Sequence, residues 1–136
     1  MSLSPDGRQI VYVEQDRASK TAALNVVAFN GGTPRELVRV SGVTNLNNFT
    51  VWTPDGGQII FEQTKDGENS SWIVPVNGGV TRQLDPTFPT SRQIRIHPDG
   101  RRIVYDTGNN VFEVWVLERF LRPLAAGTSA NVNLSR

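Results

Sequence analysis

The chain has no cysteine, a single histidine, a single methionine and no surplus of charge of either sign. Without cysteine it has neither a disulfide framework nor a thiolate metal site, and the redox compartment is left open. Lys plus Arg number 14 against 13 Asp plus Glu, so there is no basic field to draw in nucleic acid or an anionic membrane surface. No apolar run approaches the roughly 18 residues of a membrane span, so no membrane insertion by this segment is expected. No secretory leader precedes the first ordered motif, although truncation would remove one. No Gly-x-Ser-x-Gly elbow, phosphate-cradling Gly-x-x-x-x-Gly-Lys loop or His-Glu-x-x-His pair occurs, which argues against an intact hydrolase or nucleotide enzyme. No stretch reads as a long amphipathic helix; the nearest, Leu117–Leu121, is cut short by Pro123.

What the chain does have is one phrase said three times. Leu3-Ser4-Pro5-Asp6-Gly7 precedes Ile10-Val11-Tyr12, Trp52-Thr53-Pro54-Asp55-Gly56 precedes Ile59-Ile60-Phe61, and Ile96-His97-Pro98-Asp99-Gly100 precedes Ile103-Val104-Tyr105. In each, a hydrogen-bonding residue, Pro, Asp and Gly suit the four positions of a type I turn with a left-handed Gly, a recognised hairpin connection. Short β-branched and aromatic runs follow at Ile10–Glu14, Ile59–Gln63 and Ile103–Asp106. Third strands are expected at Val26–Phe29, Trp72–Val76 and Val114–Leu117. The first two run into Asn30-Gly31-Gly32 and Asn77-Gly78-Gly79, read as tight hairpin turns, and lead to fourth strands near Arg35–Val40 and Thr81–Leu84.

The prolines at 5, 54 and 98 lie 49 and then 44 residues apart, a period that means stacked supersecondary units. The expected fold class is all-β: three consecutive four-stranded antiparallel blades of a six-bladed β-propeller, incomplete at the first and third blade. Residues 1–45 form the first repeat, lacking its first strand; 46–90 form the second; 91–124 form the third, with an irregular end; 125–136 form a tail. That tail, through Thr128–Ser135, could supply a missing strand to its own chain or a neighbour's. Three units cannot close a ring of the usual 4–8 blades. The chain is therefore expected to be a piece of a longer propeller or to form a homodimer through its open blade faces.

Ser4-Pro5-Asp6-Gly7-Arg8-Gln9-Ile10-Val11-Tyr12, with Asn30-Gly31-Gly32 and Pro34-Arg35-Glu36-Leu37 behind it, resembles the TolB-like repeat of WD-type β-propellers. The resemblance runs from Leu3 to Leu117, and Glu113–Glu118 resembles the segment that closes C-terminal propellers of bacterial multidomain proteins. Such propellers occur in periplasmic binding proteins, as accessory domains of serine peptidases and as sensor domains behind bacterial kinases. The resemblance thus implies a non-catalytic interaction or sensor scaffold with a protein or peptide partner, no cofactor, and an extracytoplasmic or periplasmic setting. The alternative is an accessory, substrate-gating propeller of a larger enzyme such as a serine peptidase. Fold alone does not choose between them. His97 in place of Ser, Gly57 in place of a basic residue and the missing third Asn-Gly-Gly depart from the pattern.

Asp6, Asp55 and Asp99 recur and could suggest metal or acid-base chemistry. In identical turns one unit apart, the better reading is that they satisfy backbone N–H groups, so no metal is expected. His97 takes the Ser position of its turn, where its ring can stand in for the hydroxyl; a catalytic role would require a nucleophile and an orienting carboxylate within reach. Trp52, Trp72 and Trp115 sit in strands and suit packing between blades. The three Asn-x-Ser/Thr sequons, at Asn48, Asn69 and Asn133, carry no weight.

Binding is expected on the disc face opposite the Pro-Asp-Gly turns, where the loops Asp16–Thr21, Ser41–Asn45, Thr64–Asn69, Asp85–Ser91 and Thr107–Asn110 differ from repeat to repeat. The candidate residues there are Phe88, held between Pro86 and Pro89, with Arg92, Lys65 and Asn109.

Overall fold

The computed structural model describes residues 1–85, 94–107, 113–118 and 134–135. They form three four-stranded antiparallel sheets, and the chain divides into two compact units, Met1–Thr90 and Ser91–Arg136. The first unit holds two sheets. Strands β1 (Ser2–Leu3), β2 (Gln9–Asp16), β3 (Thr21–Ala28) and β4 (Arg35–Ser41) form the first in that order, and β5 (Val43–Trp52), β6 (Gln58–Lys65), β7 (Glu68–Pro75) and β8 (Arg82–Gln83) the second. The second unit holds β9 (Ile94–Ile96), β10 (Arg102–Thr107), β11 (Glu113–Glu118) and β12 (Leu134–Ser135).

Several expectations need correcting. The first sheet does have a first strand: Ser2 and Leu3 pair with Val11 and Ile10. The third sheet is completed by the tail of its own chain, with Leu134 and Ser135 beside Leu117 and Val116, so it too has four strands. The expected third strand Val114–Leu117 does form, as β11, and residues 117 and 118 of the short helical stretch lie within it. The first and second sheets are separated by Gly42 alone, at φ 73°, so Ser41–Asn45 is no loop.

The Asn-Gly-Gly segments are not two-residue hairpins either. β3 ends at Ala28, and Gly31 is the fourth residue of a turn, its N–H reaching the Ala28 carbonyl at 3.0 Å; Gly78 repeats this on Pro75 at 3.1 Å. The two-residue hairpin is Asp66-Gly67, between Lys65 and Glu68. Both residues have positive φ, 52° and 83°, as a type I′ turn requires. It tightens what reads as the loose loop Thr64–Asn69. The loop after Asp16 is held by that carboxylate, which accepts from the Ala18 N–H at 2.9 Å and the Ser19 hydroxyl at 2.7 Å.

Period-two alternation fixes which residues meet between the first two sheets. Val11, Ala22, Leu24 and Val26 on one face of the first sheet pack with Trp52, Ile59, Phe61, Val74 and Val76 of the second in one buried cluster that also includes Leu46. Polar contacts stitch its margins. The Ser2 and Thr50 hydroxyls meet at 3.0 Å, the Trp52 indole N–H donates to the Ser2 carbonyl at 3.3 Å, and the Arg35 guanidinium donates to the Val76 carbonyl. Trp52 is thus a packing residue, and Trp72 lies partly buried against the same cluster.

Candidate functional site

The repeated turn is built the same way in each sheet. Gly7, Gly56 and Gly100 donate N–H to the carbonyls of Ser4, Thr53 and His97 at 2.8–2.9 Å, with φ of 73°, 68° and 66°. Two residues on, Gln9, Gln58 and Arg102 accept from the backbone N–H of Ser4, Thr53 and His97 and so close the hairpin. Proline presets the second position of the turn, and glycine alone takes the left-handed fourth without strain.

Side chains then lock the loop from within. The Ser4 hydroxyl donates to Asp6 Oδ1 at 2.6 Å and accepts from the Gln9 N–H at 2.9 Å, while Asp6 Oδ1 also accepts from the Arg8 N–H at 3.1 Å. Thr53 and Asp55 reproduce this: hydroxyl to Oδ1 at 2.6 Å, Gln58 N–H to hydroxyl at 2.9 Å, Gly57 N–H to Oδ1 at 2.9 Å. In the third turn His97 Nδ1 accepts from the Asp99 N–H at 3.2 Å, a different donor from the one Ser4 and Thr53 serve. Asp99 accepts from the Arg101 N–H at 2.9 Å and pairs with Arg102 at 2.9 Å. The imidazole therefore replaces the hydroxyl only in part, and Arg102 supplies the rest of the lock.

These bonds favour the ionised carboxylates. Asp6 is held below the usual carboxylate range first by the Ser4 hydroxyl and then by the Arg8 N–H, and Asp55 first by Thr53 and then by Gly57. Asp99 is drawn down to about 2, above all by the Arg101 N–H. A carboxylate with a depressed folded-state pKa contributes stability above its unfolded value, near 3.8, and loses that contribution as pH falls toward the folded value. The thermal midpoint should accordingly hold between pH 7 and 5 and fall between about pH 4 and 2. Replacing all three residues by Asn should flatten the acid limb measured by circular dichroism, and an unchanged limb would show that these turns do not set it.

Within the first unit the first two turns come side by side. Ser4, Pro5, Asp6 and Gln9 from one and Pro54, Asp55 and Gly56 from the other line a concavity of about 320 Å3. Each Asp commits one oxygen to its own turn, so the hollow is rigid, polar and anionic. It suits a cationic or hydrogen-bond-donating group.

Of the residues expected on the opposite face, Phe88, Arg92 and Asn109 lie outside the described residues. Lys65 is exposed beside the Asp66-Gly67 hairpin, at the far end of β6 from Gln58, so it does not join the concavity. Pro5, Asp6, Pro54, Asp55 and Gly56 do join it, although their pattern reads from sequence as a structural device. Among the described residues no group of three or more His, Asp or Glu could hold a metal ion.

Serial four-stranded antiparallel meanders are the pattern of a β-propeller segment. Solved structures agree. The chain is similar to TolB from Acinetobacter baumannii, with 17% identity, 82% of this chain and 28% of that one covered, and a TM-score of 0.66. A structure assigned to TolB from Agrobacterium tumefaciens gives 18% identity, 97% and 46% coverage and a TM-score of 0.68. The β-propeller domain of the Trilobed protease from Pyrococcus furiosus gives 12%, 96% and 40%, and 0.55. The chain thus has the fold of a TolB-like propeller segment and spans less than half the length of each of these structures. No protein-family profile matches it, and no curated protein matches it by sequence.

Proposed function

We propose that the chain is a non-catalytic scaffold that binds a protein or peptide partner, with the concavity between the first two turns as a contact site. One observation carries this reading. The hydroxyls and carboxylates at these turns bond one another and the backbone N–H groups beneath them, which yields a shaped anionic surface and no general base aimed at a nucleophile. The partner would present Lys, Arg or backbone N–H groups. An extracytoplasmic or periplasmic setting belongs to the same reading.

A second reading, an accessory propeller that gates substrate for an enzyme such as a serine peptidase, is favoured by the likeness to the Trilobed protease propeller. The absence of cysteine makes site-specific labelling direct. A photo-crosslinker on Gln9→Cys, at the rim of the hollow, should capture a discrete partner from extract of the source cells, and the same label on Lys65→Cys should not. Capture of a peptidase catalytic domain would favour the second reading. Crosslinks from position 65 alone would move the binding face to the other end of the sheets, and peptide hydrolysis by the purified chain would overturn a non-catalytic role.

A further inference from the structure

Within the first unit the repeat lets one sheet be judged against the other, position by position. Trp52, Ile59, Phe61, Val74 and Val76 share one face of the second sheet, all buried, and this face meets the first sheet. Their counterparts on the first sheet are Leu3, Ile10, Tyr12, Val27 and Phe29. Leu3 precedes its turn as Trp52 does, and Ile10 pairs with Val27 as Ile59 pairs with Val74. The Phe29 N–H reaches the Arg8 carbonyl as the Val76 N–H reaches that of Gly57. Yet Leu3 is 51% and Phe29 58% exposed, Ile10, Tyr12 and Val27 are half-buried, and none of the five belongs to the core cluster.

Polar residues rim this patch. Asn25, across the ladder from Tyr12, donates to Glu14 at 3.4 Å, and Glu36 and Arg39 of β4 pair beyond it. An apolar patch with a polar rim marks an interaction surface. The second sheet shows what such a face accepts: Val11 of β2 with Ala22, Leu24 and Val26 of β3, short aliphatic side chains on two paired strands. A second copy of this chain does not offer that complement, because its own Val11, Ala22, Leu24 and Val26 are buried against its own second sheet.

We propose that the Leu3, Ile10, Tyr12, Val27 and Phe29 face docks a β-sheet of a separate protein whose docking strands alternate short aliphatic residues such as Val, Ala and Leu. The proposal rests on the reading of the chain as an interaction scaffold, but it uses a surface other than the concavity, so either can fail without the other.

The probe is a cyclic peptide copying Gln9–Ala28, the β2–β3 hairpin, closed by Asn-Gly so that the strands are preformed. Circular dichroism would first establish that it is β-structured, and a fluorophore on its only amine, Lys20, would report binding to the full chain by anisotropy. Binding should be saturable. Leu3→Glu or Phe29→Glu in the chain, or Leu24→Lys in the peptide, should each weaken it by about tenfold or more, because a charge is buried in the contact. Leu3 and Phe29 are exposed, so both chain variants should keep the wild-type melting temperature. Val80→Glu, at an equally exposed apolar residue of the second repeat, should bind as wild type. Failure of the β-structured peptide to bind would overturn the proposal. So would binding that Leu3→Glu and Phe29→Glu leave unchanged, since the hairpin would then occupy another surface, or an equal loss with Val80→Glu, which would show nonspecific adsorption.

Discussion

Truncating Phe61 to Ala should lower the unfolding free energy by about 3–5 kcal/mol, the range for emptying a large buried aromatic site. Phe61 is 1% exposed, in the middle of β6, with Thr50 and Trp72 as its cross-strand neighbours. Its ring belongs to the cluster in which Val11, Leu24 and Val26 of the first sheet meet Ile59 and Val74 of the second. The cavity would therefore open between two sheets, where neither backbone can collapse without breaking its own ladder. Against a total of roughly 5–15 kcal/mol for a folded domain, this is a large share. Urea unfolding followed by tryptophan fluorescence would measure it, and Phe61→Leu should lose less than about 1.5 kcal/mol because most of the volume is kept. Tyr12 occupies the same place in the first repeat but is only half-buried, so Tyr12→Ala should cost distinctly less in the isolated chain. Equal losses at the two positions would mean that the exposed face of the first sheet is already covered under the conditions of the measurement.

That comparison shows how much the sequence disclosed. The three Pro-Asp-Gly turns, the strands after them and the all-β stacking were legible because turn chemistry is local and recurs at a fixed spacing. The Asn-Gly-Gly turns differ from the expectation because Asn-Gly signals a two-residue hairpin only when both strands run up to it. Here the third strands end at Ala28 and Pro75, short of Asn30 and Asn77. Asp66-Gly67 carries the same signal, but within a polar run that reads as a loop. The tail strand Leu134–Ser135 is legible as a spare strand, but whether it serves its own chain or a neighbour is not, since its partner Val116 is nearly twenty residues away.

The candidate site divides in the same way. Each residue of the concavity except Gln9 can be placed in a turn from sequence, but a hollow between two turns depends on how closely neighbouring sheets stack, and no local motif encodes that distance. Identical locks in adjacent repeats therefore read from sequence as two separate structural devices. Set side by side, they also present two carboxylates to one space.

Substituting Gly56 by Val should cost about 1–3 kcal/mol, and the reason is almost wholly the backbone. Gly56 sits at φ 68°, where a β-branched residue is strained, yet a Cβ there would meet nothing closer than Pro5 Cδ at 3.9 Å, an ordinary van der Waals distance. Steric crowding and backbone strain are thus separable at this position. Gly56→Asn, which tolerates the left-handed region, should lose much less than Gly56→Val although both add a side chain on the Pro5 side. If the two lost the same amount, crowding against the first turn would be the cause and the hollow would be tighter than its walls indicate. If Gly56→Val left the melting temperature unchanged, the fourth residue of the turn could not be holding a left-handed conformation. The hairpin assignment that organises all three repeats would then fail with it.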